Sequence, residues 1–236
     1  MSQLLLNAVE NAKQIMHAQA INANNLANVS TDGFKAELAH VAAASAGGKT
    51  YSVPDLSEGV VRTTGRNLDI AVNGEGWIAV LGNDGTEGYS RRGDLHVDSF
   101  GQLLDGVGRP VLGNNGPIAL PPFSTVEVGA DGTISIQPLG SAANTLAVVD
   151  RIKLAEPDEQ LMQRSGDGLM RLPDNEIAPA SANVRVTSGN IEGSNVNAVG
   201  EMVKMIDLAR RFEGQVKLMQ TAQENQQALT KLMSLR

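Results

Sequence analysis

The residues that could carry chemistry are few, and their spacing points away from a reaction centre. Three histidines are present, His17, His40 and His96. No HxxxH, HxH or HxxE pairing links them, so a histidine-based metal site is not expected. Cysteine is absent, which removes disulfides, thiolate metal sites and thiol nucleophiles. The glycine-rich segments, Asn73-Gly74-Glu75-Gly76 and the stretch holding Gly106, Gly108, Pro110 and Gly113, lie between short apolar runs. They read as turns, because a phosphate-binding loop needs its glycines between a strand and a helix. Asn83-Asp84-Gly85-Thr86-Glu87 is too short for a calcium loop. GxSxG is absent, so no serine sits in a nucleophile elbow. Asp158 and Glu159 follow a proline in a loop and read as solvated. The expectation is a protein with no catalytic residues, no metal and no cofactor.

The 236-residue chain is acidic, with 19 Lys and Arg against 26 Asp and Glu and a net charge of -7. No basic run stands out. A dedicated nucleic-acid binder would show a basic patch and a polybasic lipid anchor a cluster of Lys and Arg, so neither partner is expected. No stretch is long and apolar enough to span a bilayer. The N-terminal segment lacks the basic start and continuous apolar run of a secretory signal. Aromatics make up only 3% of the chain, so any core must rest on Val, Ile, Leu, Ala and Met.

The ends differ from the middle. Leu5, Ala8, Ala12 and Ile15 recur at spacings of three and four, which marks one face of a helix over residues 2–28. Asn22, Asn24, Asn25 and Asn28 then dilute the pattern; asparagine competes for backbone hydrogen bonds, so the helix should end near Asn28. The C-terminal stretch from Asn197 carries a heptad-like seam at Met202, Met205, Ala209, Phe212, Val216 and Met219. A stripe this long needs a partner helix. Residues 58–190 read as β: LDIAV, GWIAVL, LHV, TVEVGA, GTISIQ, NTLAVVDRIKLA and NVRVTS alternate with NG and DG turn signals. Residues 29–57, with AAASAGG inside them, read as an extended arm. The expected fold is α+β: N- and C-terminal helices (1–28 and 191–236) packed as a coiled-coil-like pair, with a central irregular all-β domain.

Three stretches resemble one family. Asn24-Asn25-Leu26-Ala27-Asn28-Val29-Ser30-Thr31-Asp32-Gly33-Phe34-Lys35 is similar to the N-terminal signature of flagellar rod and hook proteins. Asn73-Gly74-Glu75-Gly76-Trp77, then Tyr89-Ser90-Arg91-Arg92-Gly93-Asp94-Leu95 and Gly101-Gln102-Leu103, resembles that family's central pattern, with Trp77-Ile78 where a Phe pair is usual and Ser90 where Thr is usual. Gly189-Asn190-Ile191-Glu192-Gly193-Ser194-Asn195-Val196-Asn197, followed by Glu201-Met202-Val203, resembles the junction that opens the C-terminal helix. Length and the segment Asp207–Met219 are similar to the proximal-rod member, with the distal-rod member the runner-up.

The resemblance implies a structural subunit of the bacterial flagellar basal-body rod, located in the periplasmic rod and transmitting torque. Implied partners are other rod proteins, copies of itself and the flagellar type III export apparatus. A surface-exposed β-rich binding module is the alternative from a different class. The implied assembly interface comprises Asn24, Asn25, Leu26, Asn28, Gly33, Phe34, Ser194, Asn195, Val196, Asn197, Met202, Met205, Phe212, Val216 and Met219. Gly33 permits a turn with positive φ, and Phe34 can anchor the arm beyond it. Asparagine both donates and accepts, so the Asn run can bond to an adjacent subunit; from the residues alone, a local cap with no such role is an equal reading.

Overall fold

The computed structural model describes residues 2–41, 50–140 and 145–234. The chain forms two compact units, one of Met1–Val29, Ala36–Asp55 and Val196–Arg236, the other of Ser30–Lys35 and Leu56–Asn195.

The first unit contains α1 (Ser2–Ala27), β1 (Glu37–Val41), β2 (Thr50–Pro54) and α2 (Ala198–Ser234). The two helices pack on one another, and α1 also packs on β1. On α1, Ala8, Ala12, Ile21, Asn22 and Asn25 are buried, a stripe at helical spacing. The side chain of Leu5 lies outside the described residues. The helix ends as the asparagines predict: the Asn24 carbonyl accepts both the Asn28 backbone N–H (3.1 Å) and the Asn28 side-chain amide (2.9 Å). α2 opens on Asn197, whose side-chain oxygen accepts the Gly200 N–H (3.1 Å), the usual N-cap bond to an otherwise orphaned donor. Within the stretch 29–57, β1 and β2 pair antiparallel, His40 opposite Tyr51. Their rings stack at 6.0 Å, so His40 acts as a cross-strand partner.

Among its described residues the second unit is β apart from one short 3-10 turn, and the strand pairs described in it are antiparallel. Its largest sheet runs in the order Leu154–Ala155, Trp77–Leu81, Glu87–Ser90, Met170–Arg171, Gln163–Arg164. A three-stranded sheet joins Phe123–Val128, Thr133–Pro138 and Ala147–Arg151. Ile70–Asn73 pairs with Arg185–Ser188, and Val61–Thr63 with Asn190–Glu192. The strand Trp77–Leu81 is covered on both faces. Ile78 and Val80 enter the main core with Ile70, Leu95, Leu103, Ile118, Ile134 and Ile152; Trp77 and Ala79 point into a second cluster with Tyr89, Met162, Met170 and Ala178. Alternate residues face opposite sides of a strand, so a continuous apolar run marks a strand buried twice over.

The DG signals fall at hairpin turns. Between Phe123–Val128 and Thr133–Pro138, Gly132 takes φ +85, open to glycine without steric cost. Asp131 accepts the Thr133 N–H (3.1 Å) and hydroxyl (2.8 Å). The hydroxyl bond chiefly holds the Asp131 carboxyl below the usual carboxylate range.

Tyr89 supplies a pH-dependent part of the second cluster. Burial pushes its phenol up from 10.0 to about 12, and its oxygen accepts the Ala178 N–H at 2.7 Å. A folded-state pKa above the unfolded one gives stability that is whole below pH 10 and lost as pH climbs through 12. Unfolding free energies from denaturant titrations at pH 8 to 12 should therefore fall more steeply for the native chain than for Tyr89→Phe, by up to about 2–3 kcal/mol. Parallel curves would remove this assignment.

Candidate functional site

The three sequence motifs meet at one buried ion cluster in the β unit. The strand Asn190–Glu192, held in register by Val61–Thr63, turns the Glu192 side chain inward, where it is 1% exposed. One carboxylate oxygen accepts the Lys35 ammonium (2.7 Å) and the Gly59 N–H (2.8 Å); the other accepts Arg91 (3.3 Å). Lys35 also donates to the Ser57 carbonyl (2.7 Å), and Arg91 to the Gly74 carbonyl (2.7 Å). The Arg91 guanidinium lies 5.2 Å from the centroid of the Trp77 ring, a cation–π contact that partly replaces lost hydration. Burial pushes the Lys35 ammonium below the usual lysine range, and Glu192 opposes that shift by hydrogen bond and by charge. Two cations thus share one buried anion. Each is retained because a buried charge without its partner is costly.

The same place gathers the ends of the β unit. Gly33 donates its N–H to the Glu192 carbonyl (2.8 Å), and Asn195 donates its N–H to the Phe34 carbonyl (3.3 Å). The Asn195 amide also bonds the Ser57 carbonyl and hydroxyl, both at 3.1 Å. The Phe34 ring lies under the Arg164 guanidinium at 4.7 Å, and Arg164 donates to the Lys35 carbonyl. Gly33 has φ +68, and a Cβ there would stand 2.4 Å from the Arg91 carbonyl carbon. No other residue combines that backbone with that approach. Residues 30–35, 56–59 and 192–195 are therefore stitched into one joint where the chain passes out of the β unit.

In the helical unit a second polar network ties the elements. The buried Asn25 amide donates to the Glu37 carbonyl and accepts the Glu37 N–H, both at 2.8 Å, continuing the edge of β1 as a strand would. Asn22 donates to the Glu201 carbonyl (3.0 Å) and to its carboxylate; Lys204 bonds the other oxygen of that carboxylate at 2.6 Å.

Set against the expected interface, the structure divides the residues. Asn25 is buried in the network just described, and Asn28 and Asn24 form the end of α1. Gly33, Phe34 and Asn195 belong to the joint. Asn197 caps α2, while Leu26, Ser194 and Val196 are half-buried. Met205, Phe212, Val216 and Met219 are half-buried along one side of α2, which Leu208 joins; Ala209 and Met202 are exposed, Met202 by 52%. Lys35, Arg91, Glu192, Trp77 and Arg164 were missed as site residues. All but Arg164 lie inside the three motifs, so charged residues within them were the available signal. Among the described residues no group of three or more His, Asp or Glu is placed to hold a metal ion.

Comparisons agree with the three motifs. Residues 71–136 match the family model described as flagellar hook protein FlgE/F/G D1 domain, and residues 187–232 that described as flagellar basal body rod FlgEFG protein C-terminal. The chain is 40% identical to the flagellar basal-body rod protein FlgF of Escherichia coli and 39% identical to that of Salmonella typhimurium, each over 100% of both chains. It is 28% identical to the flagellar basal-body rod protein FlgG of Bacillus subtilis, over 98% of this chain and 99% of that one.

Glu192→Ala would leave Lys35 and Arg91 buried without their counter-charge and should cost about 3–5 kcal/mol in urea unfolding. The Lys35→Ala, Glu192→Ala double variant should lose clearly less than the two singles summed. Strict additivity would show that the pair is not coupled.

Proposed function

We infer how this subunit works from one premise: the chain belongs to the flagellar basal-body rod protein family and groups with its FlgF members. It is a structural subunit of the proximal rod in the basal body. It works by assembling with other rod components, and torque passes through it. No reaction is assigned to it. We place it in the periplasmic part of the rod and give it passage through the flagellar type III export apparatus, a reading that its membership of the rod family supports.

One observation carries the mechanical reading, the joint at Lys35, Arg91 and Glu192. A subunit that transmits torque must hold its β unit together where the chain enters and leaves it. A buried three-residue ion cluster, fastened to Ser57, Gly59 and Gly74 and braced by Phe34 against Arg164, supplies fixed directional bonds at that place. The helical ends have the opposite character. Of the described side chains of α2 only Glu201 is fully buried; Met205, Leu208, Phe212, Val216 and Met219 are half-buried, so packing within its own unit leaves much of the helix's apolar surface uncovered. Ordering each residue costs on the order of 1–2 kcal/mol, and most helical stability in proteins comes from packing an apolar face. We assign that stabilisation to neighbours in the rod. Met202 is exposed on one face, and Met205, Phe212, Val216 and Met219 are only half-covered on another; both faces are offered to neighbours, and the flexible methionines adapt to neighbours that are not identical.

In cells lacking their own FlgF, this chain should restore motility and co-purify with basal bodies; its absence from the basal bodies of complemented cells would refute the assignment. For the purified monomer, brief proteolysis followed by mass spectrometry should show cuts in 1–29, 36–55 and 196–236 while the β unit survives. Ends as resistant as the β unit would show that their order does not depend on assembly.

A further inference from the structure

Seven times in this chain an Asp or Asn precedes a glycine, at 32–33, 73–74, 84–85, 105–106, 115–116, 131–132 and 167–168. All seven pairs lie in the β unit. Glycine has no side chain to shield its amide nitrogen. At such a pair that nitrogen can close a five-membered imide on the preceding side-chain carbonyl carbon. An ionised carboxylate is a poor electrophile for this ring closure and a neutral amide a better one. The side chain must also be free to turn toward the backbone nitrogen that follows it.

The fold holds six of the seven side chains. Asp32 accepts the Arg62 guanidinium (2.8 and 3.0 Å). Asp84 accepts the Thr86 N–H and hydroxyl (3.0 and 2.8 Å), and Asp131 accepts the same groups of Thr133. The threonine hydroxyls chiefly hold both carboxyls below the usual carboxylate range, which keeps them ionised. Asp105 accepts the Val107 and Arg109 N–H groups (3.0 and 2.8 Å), and Asp167 the Leu169 N–H and the Arg171 guanidinium (3.1 and 2.7 Å). Asn73 is gripped across two strands: its amide donates to the Thr187 hydroxyl (2.9 Å), and its side-chain oxygen accepts from that hydroxyl (3.1 Å). Asn115 differs. It stands with Asn114 at the tip of the hairpin that pairs Leu112–Gly113 with Gly116–Pro117, and no hydrogen bond to a described residue holds its side chain. Asn73 and Asn115 are both exposed, and Gly74 and Gly116 both stand in open space. The Thr187 grip is what separates them.

We propose that Asn115 is the site at which this folded chain deamidates, through its ring closure with Gly116. The Gly113–Gly116 rung is the last before the tip, and local opening at such an end frees the backbone groups it pairs. The Gly116 nitrogen gives its proton to hydroxide and attacks the Asn115 Cγ. The N–Cγ bond forms, the Cγ–Nδ2 bond breaks, and the amide nitrogen leaves as ammonia with a proton from water. Water then opens the imide at either carbonyl and leaves aspartate or isoaspartate. Both products add a negative charge to an acidic chain. Isoaspartate also lengthens the main chain of the loop by one methylene, and loop length sets hairpin register. Leu112 of the second cluster and Ile118 of the main core flank that loop, so the change reaches both cores. A subunit held in a long-lived structure would accumulate it with age.

The test is peptide mapping by mass spectrometry of the purified full-length chain, sampled over time in mildly alkaline buffer, with isoaspartate labelled by a protein isoaspartyl methyltransferase. In the folded chain, conversion at Asn115 should lead that at Asn73 by at least about tenfold, the protection expected of a locally held site. In urea, where the grips are gone, the two should convert at rates within about threefold of each other. Thr187→Val should raise conversion at Asn73 in the folded chain and leave Asn115 unchanged. Asn115→Gln should remove the label from the hairpin peptide. Equal rates in the folded chain, or a lead by Asn73 or by any of the Asp-Gly pairs, would overturn the proposal. An Asn115 lead that persists undiminished in urea would trace the difference to neighbouring residues and overturn the role given to Thr187.

Discussion

A single buried carboxylate organises the β unit where its chain segments converge. Glu192 holds Lys35 and Arg91 in an environment from which water is excluded, and in such surroundings each charge depends on the others. The cluster therefore draws together segments 157 and 101 residues apart in the chain. The neutral contacts follow from that. Gly33 must be glycine because the arm passes against the backbone of Arg91. Trp77 must be aromatic to give the guanidinium a face. Ser57 and Asn195 complete the hydrogen bonding of the segments that leave beside it.

The two units are stabilised in different ways. The β unit buries a full set of aliphatic side chains on either side of its central strand and spends two of its rare aromatics, Trp77 and Tyr89, on the smaller cluster. The helical unit buries Ala8, Ala12, Ile21 and two amides on α1 and, among the described side chains, only Glu201 on α2. Its internal order rests on the packing of α1 against α2 and β1 and on hydrogen bonds from Asn22 and Asn25, which specify direction more than they add stability. That contrast matches a subunit with a finished core at one place and unfinished apolar faces at another.

The helical ends and β middle were legible in the sequence because both carry strong periods. Ala8, Ala12 and Ile15 mark α1, alternation and DG turns mark the strands, and Asn197 before an unbroken run marks the start of α2. The seam on α2 was legible in outline, and its phase less so. Ala209 is exposed and Leu208 half-buried, because spacings of three and four admit two neighbouring choices until a partner helix selects one.

By itself, then, the sequence determined the two long helices and the β middle, the absence of thiol chemistry, the acidic charge and the family, while the strand pair within 29–57 read only as an extended arm. Local propensity and periodicity are properties of neighbouring residues, so they survive without the fold. Only the tertiary structure decided that Lys35, Arg91 and Glu192 are one cluster, and that Asn25 turns inward to β1. It alone decided that Met202 faces away from the side on which Met205 is covered. Pairing across more than a hundred residues leaves no period in a chain, and the sign of a buried charge's contribution depends on which groups surround it in three dimensions.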